Sequence, residues 1–271
     1  MTTADALITN ELGVWWTDTP SLPREKVGCI GATENPEHLS QAEELLRQQG
    51  CTIAIAPMEG NTWRTHRAVI ESNGRPPFLL EPISHPSFEK FDYEILSQYS
   101  SSILNLEGDS PNLSRLKNRL SKQNVTIRPL DLNRYEEELQ NIYTVCIQSF
   151  KNNFLYTPIN ATEFIAMYQE IAPLLSSECA FLAECKGQLV GFVFGYPDQK
   201  AFVVKTLAVL AEKRFSGLGT LLVETIQQSA RERGFTQAIH ALQYENNQSL
   251  RISKRFQATI FRRYALFSKK L

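Results

Sequence analysis

The residues with the most evident chemistry are Arg214-Phe215-Ser216-Gly217-Leu218-Gly219-Thr220, set between an apolar strand and an amphipathic helix. Two glycines leave the backbone bare where the chain turns into the helix. The helix start offers unpaired N–H groups and the positive end of a dipole to an anion. With a guanidinium just upstream, the stretch favours a phosphorylated ligand held mainly by main-chain donors. Two better-known phosphate loops are excluded. A P-loop places Lys and Ser/Thr after its last glycine, whereas Thr220 and Leu221 follow Gly219. A dinucleotide fold needs a third glycine where Leu222 stands and an acidic residue ending the next strand.

The elements that position this turn read as alternating strands and helices. Phe202–Leu210 is an apolar strand. The helix from Gly217 carries Leu218, Leu221, Leu222, Ile226 and Ala230 on one face and stops at Gly234. Gln237–Tyr244 is a strand, Gln248–Phe256 a helix and Thr259–Phe267 a last strand. Upstream, Val125–Leu130 is a strand, and helices follow from about Arg134 to Phe150 and from about Thr162 to Leu175. Lys186-Gly187-Gln188 marks a hairpin between Ala180–Cys185 and Leu189–Tyr196. In the first half, Lys26–Thr33 and Cys51–Met58 read as strands around a helix opened by Asn35-Pro36 and closed by Gly50. A helix is expected from Thr62 to Ser72, carrying Trp63 and His66, with short strands at Phe78–Glu81 and Phe91–Ile95. Residues 97–124, with Ser100-Ser101-Ser102 and Gly108-Asp109-Ser110-Pro111, are the linker candidate, containing a possible helix at Leu113–Leu120.

Residues 26–81 and 202–267 share an order of strand, helix, glycine, strand, a Glu-X-Asn turn, helix and strand. Glu59-Gly60-Asn61 matches Glu245-Asn246-Asn247, and Gly50 matches Gly234. Where the second half has its glycine turn, the first has Glu34-Asn35-Pro36-Glu37. There two carboxylates occupy the anion position, and Pro36 lacks a donor.

The chain has 271 residues, 42% hydrophobic and 21% charged, and a net charge of −1. These values suit one large or two small globular domains and argue against a general nucleic-acid binder. No run approaches the roughly 20 apolar residues of a membrane helix. The start, Met1 to Asp5, lacks a basic, apolar leader pattern. The five cysteines are odd in number, scattered and outside metal-binding spacings. The expectation is a cytoplasmic protein with reduced thiols and no structural metal, no nucleic-acid partner and no membrane.

Leu207-Ala208-Val209, followed by Arg214 and Gly217-Leu218-Gly219, resembles the acetyl-CoA signature of the GNAT acetyltransferase superfamily, whose core is Q/R-x-x-G-x-G/A. The flanking order over about residues 125–271 is also similar. The resemblance implies an acyl-CoA N-acyltransferase fold, a mixed and mostly antiparallel α/β sheet flanked by helices, in tandem with a degenerate N-terminal copy. The expected domains are 1–110 and 125–271, joined by a linker at 111–124. By the same resemblance, acetyl-CoA is the cofactor. Its pantetheine arm lies against Leu207, Ala208 and Val209, and its pyrophosphate on Arg214, Phe215, Ser216, Gly217, Leu218, Gly219 and Thr220. Asn246 and Ser249 contact the far side, and the Val209 N–H polarises the thioester carbonyl. Some of Arg251, Lys254, Arg255, Arg262, Arg263, Lys269 and Lys270 would meet the CoA 3′-phosphate.

Two departures concern proton handling. Lys205 stands where the family often has a glutamate base, and Ser253 where it often has a tyrosine acid. An amine with a pKa near ~10.4 must lose a proton before attack. Tyr244, Ser253 and Glu184 are the catalytic candidates, with Glu245 and His240 nearby. The implied activity is acetyl transfer to a primary amine of a small molecule or peptide, by a monomer or homodimer. The alternative is a non-catalytic acyl-CoA sensor or interaction module.

Overall fold

A computed structural model describes residues 5–9, 11–33, 35–82, 88–108 and 110–271. Glu34 lies outside the described residues. In chain order the first elements are β1 (Ala6–Ile8), β2 (Gly13–Trp15), β3 (Val27–Ile30), α1 (Pro36–Gln48), β4 (Ile53–Ala56), β5 (Ala68–Ser72) and β6 (Glu94–Asn105). Then come α2 (Ser114–Ser121), β7 (Val125–Pro129), α3 (Tyr135–Phe150), α4 (Ala161–Gln169), β8 (Ala180–Cys185), β9 (Gln188–Asp198) and β10 (Ala201–Val209). The chain ends with α5 (Leu218–Glu232), β11 (Gln237–Tyr244), α6 (Ser249–Arg255) and β12 (Thr259–Lys270). It forms two compact units, one of Met1–Ser100, Asn152–Thr157 and Phe261–Leu271, the other of Ser101–Lys151 and Pro158–Ile260.

In the first unit the strands run β1-β2-β3-β4-β12, with β5 also on β12. β3 and β4 pair in parallel, because α1 carries the chain back across the sheet. Its core gathers Val14, Trp16, Ile30, Leu39, Leu46, Phe88 and Phe267. β12 extends past the predicted Phe267 to Lys270, closing on β4 from Phe267↔Ala56 to Lys270↔Ile53.

Several expectations for the first half are corrected. No helix forms over Thr62–Ser72. Asn61 Oδ1 accepts from the Trp63 N–H at 3.0 Å, Arg67 adopts φ +76°, and Ala68 to Ser72 pair with β12. A side-chain-capped turn and tertiary strand pairing outweigh local helix propensity here. Trp63 therefore lies in a turn, its indole N–H donating to Thr157 O at 2.7 Å. Phe78–Glu81 is a turn held by the Phe78 N–H on Glu81 Oε2 at 3.0 Å. The strand expected at Phe91–Ile95 is instead the twelve-residue β6. Ser100, Ser101 and Ser102, read as linker, are buried within it. Small side chains suit a crowded strand interior, whereas composition alone marks serines as loop.

The second unit orders β11-β10-β9-β8-β7. β10 and β11 are parallel, and β7 to β10 are antiparallel neighbours. The core packs Leu218, Leu222, Val223, Ile226 and Ala230 of α5 against Phe181, Val193, Phe202 and Val204. α5 ends as its glycine requires. Gly234 takes φ +86° and Phe235 N–H bonds back to Ala230 O at 3.1 Å. α4 stops at Gln169, six residues short of the predicted end, because 3-10 turns with Pro173 replace its last part.

Candidate functional site

The site begins where β10 and β11 stop pairing. Their parallel register runs from Ala201↔Gln237 to Val204↔His240 and goes no further. Both strands have local reasons to part. The β10–β9 ladder shifts register between Val204 and Thr206, placing Lys205 at a bulge. On β11, Leu242 takes φ +57°, and its N–H is claimed by Ser101 Oγ at 3.0 Å. A left-handed Leu is a true outlier, held by its surroundings.

Beyond the parting, Thr206 to Val209 still pair with β9. Leu210 N–H donates to Val190 O at 2.9 Å. Alternation along an extended strand turns the main-chain groups of Val209 and Leu207 toward the opposite, open edge, and those of Ala208 toward β9. That edge can accept a strand-like partner.

The glycine turn follows. Lys213 to Phe215 form a short 3-10 turn in which Phe215 N–H bonds Glu212 O and Ser216 N–H bonds Lys213 O. Those two amides are already used, which narrows the expected pyrophosphate cradle of 214–220. The first helical bond of α5 is Leu221 N–H to Gly217 O at 3.2 Å. The N–H groups of Leu218, Gly219 and Thr220 thus have no partner inside the helix. Gly217 is the N-cap at φ +82°, a conformation that glycine adopts without strain.

Crowding explains both glycines. A Cβ on Gly217 would lie 2.9 Å from Leu116 Cδ1. One on Gly219 would meet Ile252 Cδ1 at 3.3 Å and Leu207 Cδ2 at 3.4 Å. The turn, the open strand and α6 therefore come together around Gly219. Sequence reasoning missed the brace behind the turn. Arg119 of α2 donates to the carbonyls of Arg214, at 3.4 Å, and Ser216. Helical spacing from Leu116 to Arg119 was its only signal, and the surrounding linker-like composition hid it. Arg214 is exposed, bonded to Glu212 at 2.8 Å, with its guanidinium carbon 4.5 Å from the Phe215 ring centroid. Phe215 itself is a core side chain and can contribute only backbone to a ligand.

The other candidates divide. Tyr244 ends β11, and its hydroxyl accepts from Asn246 Nδ2 at 3.2 Å. Ser249 opens α6, its N–H on Asn247 Oδ1 at 3.1 Å. Ser253 is buried in a polar chain with His240. Gln227 Nε2 donates to His240 Nε2 at 2.7 Å, so Nδ1 carries the proton toward Ser253 Oγ at 2.7 Å. The Ser253 hydroxyl in turn donates to Gln243 Oε1 at 2.9 Å. Burial lowers the His240 pKa to about 4, so the imidazole is neutral near pH 7. This chain fastens α6 to β11 at the point where the strands part.

Glu184 is not brought to this place. It lies on β8, with β9 between it and β10, and pairs with Arg128 at 2.6 Å. Arg128 also holds buried Glu138 at 2.6 Å, and that bond chiefly raises the guanidinium pKa.

The basic C-terminal run separates as well. Arg262, Arg263, Lys269 and Lys270 belong to the first unit and pair with Glu81, Glu71, Glu43 and Glu25. They are removed as partners of a 3′-phosphate, because acids distant in sequence neutralise them. Arg251, Lys254 and Arg255 remain exposed on α6. Among the described residues no His/Cys/Asp/Glu group could hold a metal, and no helix is long and apolar enough to cross a membrane.

A mixed, largely antiparallel sheet that opens beside a bare helix start defines the acyl-CoA N-acyltransferase fold. Residues 139–256 match the acetyltransferase (GNAT) family. A protein named bacterial ceramide synthase from Caulobacter vibrioides is 23% identical over 181 residues, 63% of this chain. The match covers 47% of that protein, so the chain spans about half the length of this curated relative. Among solved structures, a GCN5-related N-acetyltransferase from Sphaerobacter thermophilus superposes with a TM-score of 0.58 at 14% identity. That alignment covers 96% of this chain and 76% of the other. A tandem GNAT protein from the clavulanic acid biosynthesis pathway gives 0.53 at 11% identity, over 96% and 78%. These likenesses establish the fold.

Proposed function

We propose that the chain transfers an acyl group from acyl-CoA to a primary amine, with acetyl-CoA as the simplest donor. The observation that carries this reading is the parting of β10 and β11 at Val204/His240 beside the uncapped start of α5. The residues present suit a CoA thioester. The open edge at Leu207 and Val209 would hold the pantetheine amides, and the N–H groups of Leu218, Gly219 and Thr220 the pyrophosphate. Asn246 and Ser249 stand at the end of β11, and Arg251, Lys254 and Arg255 offer positive charge from α6.

The bound donor supplies an activated thioester. The Val209 N–H is placed to stabilise negative charge developing on the acyl oxygen. The open strand edge fixes orientation, which supplies much of the rate. The reaction forms a bond between the acceptor nitrogen and the acyl carbon and breaks the C–S bond, the amine proton ending on the sulfur. Tyr244 is the side chain among the three catalytic candidates that ends the open strand, and its phenol, which accepts from Asn246 Nδ2, would exchange that proton. Free-thiol release from acetyl-CoA across a panel of amines tests the proposal, with turnover on at least one amine expected.

A second reading is favoured by two observations: the Ser253 hydroxyl, at the place of the usual tyrosine acid, is buried and committed to Gln243, and Lys205 replaces the usual glutamate base. It makes the chain a non-catalytic acyl-CoA sensor. Tight CoA binding without turnover on any amine would select it.

A further inference from the structure

Past the last parallel pair, Val204↔His240, Leu207 and Gln243 each stand three residues further along their strands. One irregular residue intervenes on either side, Lys205 at the bulge and the left-handed Leu242, so the count stays level. Alternation along β11 would turn Gln243 to the face opposite His240. Leu242 shifts that phase by one residue. His240 Nδ1 and Gln243 Oε1 consequently meet the same Ser253 Oγ, at 2.7 and 2.9 Å. The Leu207 side chain shares this face, because a Cβ on Gly219 would meet both Leu207 Cδ2 and Ile252 Cδ1, the chain neighbour of Ser253. The Gln243 carboxamide therefore stands across the opening from Leu207, on the side of α5 and α6.

The sense of the hydrogen-bond chain is set at its buried end. Gln227 is enclosed in the core and joins the chain through His240. With Nε2 donating, its Oε1 is left without a partner. Reversing the amide would instead bury both its hydrogens without acceptors, the costlier arrangement. His240 then donates to Ser253, and Ser253 donates to Gln243 Oε1, the Ser249 carbonyl at 3.3 Å being its longer alternative. Every proton points the same way, so each bond polarises the next. The last group is the Gln243 amide nitrogen, a donor with two hydrogens. Gln243 is half-buried, and among the described residues nothing accepts from this nitrogen.

We propose that Gln243 Nε2 donates a hydrogen bond to an amide carbonyl of the pantetheine arm lying in the opening, and that Ser253 and His240 are positioning residues that hold the carboxamide in that orientation. This rests on the acyl-CoA reading of the glycine turn and open strand. An apolar ligand would strip water from the Gln243 amide and return nothing. An acceptor ammonium would face hydrogens, since the accepting oxygen is turned to Ser253. A carbonyl completes the chain. Ser253 thus acts through Gln243 and touches no substrate itself.

Calorimetric titration of the full chain tests this with two ligands, CoA and 3′-phosphoadenosine 5′-diphosphate, which lacks the pantetheine arm. Gln243→Leu should weaken CoA about five- to tenfold, the loss of one hydrogen bond, and leave the nucleotide unchanged. Gln243→Glu still accepts from Ser253 but puts negative charge in place of the donor, and should weaken CoA at least as much. If Gln243→Leu fails to fold, Gln243→Glu carries the comparison. Ser253→Ala should weaken CoA about threefold in the otherwise unmodified chain and have no further effect in Gln243→Leu, where nothing is left to position. CoA affinity unchanged in both Gln243 variants would overturn the inference while leaving the acyl-CoA reading intact. Equal losses for CoA and the nucleotide would make Gln243 a structural residue and overturn it too. Additive losses in the double variant would remove Ser253 as a positioning residue. Failure of the unmodified chain to bind CoA would remove the acyl-CoA reading, and this inference with it.

Discussion

The crossovers β3–α1–β4 and β10–α5–β11 follow the same strand–helix–strand path and differ at two places. The first stays closed. Its parallel register from Val27↔Ile53 to Cys29↔Ile55 continues through a Met58 N–H to Ile30 O bond of 2.7 Å. The second opens after Val204↔His240. The helix starts differ in the same sense. Asn35 caps α1 by accepting from the Glu37 N–H at 2.9 Å, Pro36 offers no donor, and Glu37 places negative charge in the first turn. At α5 a left-handed glycine offers no side-chain cap, and the N–H groups of Leu218, Gly219 and Thr220 have no partner within the helix. A shared path therefore does not carry the chemistry. On the proposed reading, a bulge, an irregular strand residue and an uncapped helix start do. On the proposed reading the first crossover is a degenerate copy that takes no donor.

The largest expected effect comes from making the second helix start resemble the first. Gly217→Glu puts a side chain at φ +82° and a carboxylate where an anion should sit. CoA affinity should fall on the order of a thousandfold, read by loss of the CoA-induced rise in Tm. Next is the pH dependence of the junction where β11 departs. His240, depressed to about 4 in the fold, binds its proton more readily in the unfolded chain. Its neutral form is favoured fully above pH ~6.5, and ~3 kcal/mol of stability is lost as pH falls from there toward 4. Urea denaturation at stepped pH should show a steeper acid loss in the unmodified chain than in His240→Gln.

Arg119→Ala removes the brace from the Arg214 and Ser216 carbonyls. It should weaken CoA about tenfold while shifting stability by less than ~1 kcal/mol, separable by calorimetry and thermal melting. The smallest effect belongs to the first crossover. Asn35→Ala should cost about 1 kcal/mol through loss of the cap, with CoA affinity unchanged in the same titration.

Much of the second unit was legible because its signals are local. The hairpin at Lys186-Gly187, the apolar face of α5 and the Gly217-Leu218-Gly219 turn each report their own conformation. The first unit was harder to read because its residues answer to distant partners. Val69 pairs with Tyr264, Lys269 with Glu43, and the buried Ser100 to Ser102 sit inside β6. No window of sequence contains such pairs. The same limit applied to the site. The residues of the turn could be read, whereas Arg119 behind it and Ser101 on the Leu242 amide needed the fold to bring them together.

The central claim is that one of two similar crossovers holds the donor. The stoichiometry of CoA binding, measured by calorimetry on the full chain and on Gly217→Glu, tests it most directly. The account predicts one CoA per chain and none in the variant. Two CoA per chain, or one that persists in Gly217→Glu, would contradict it.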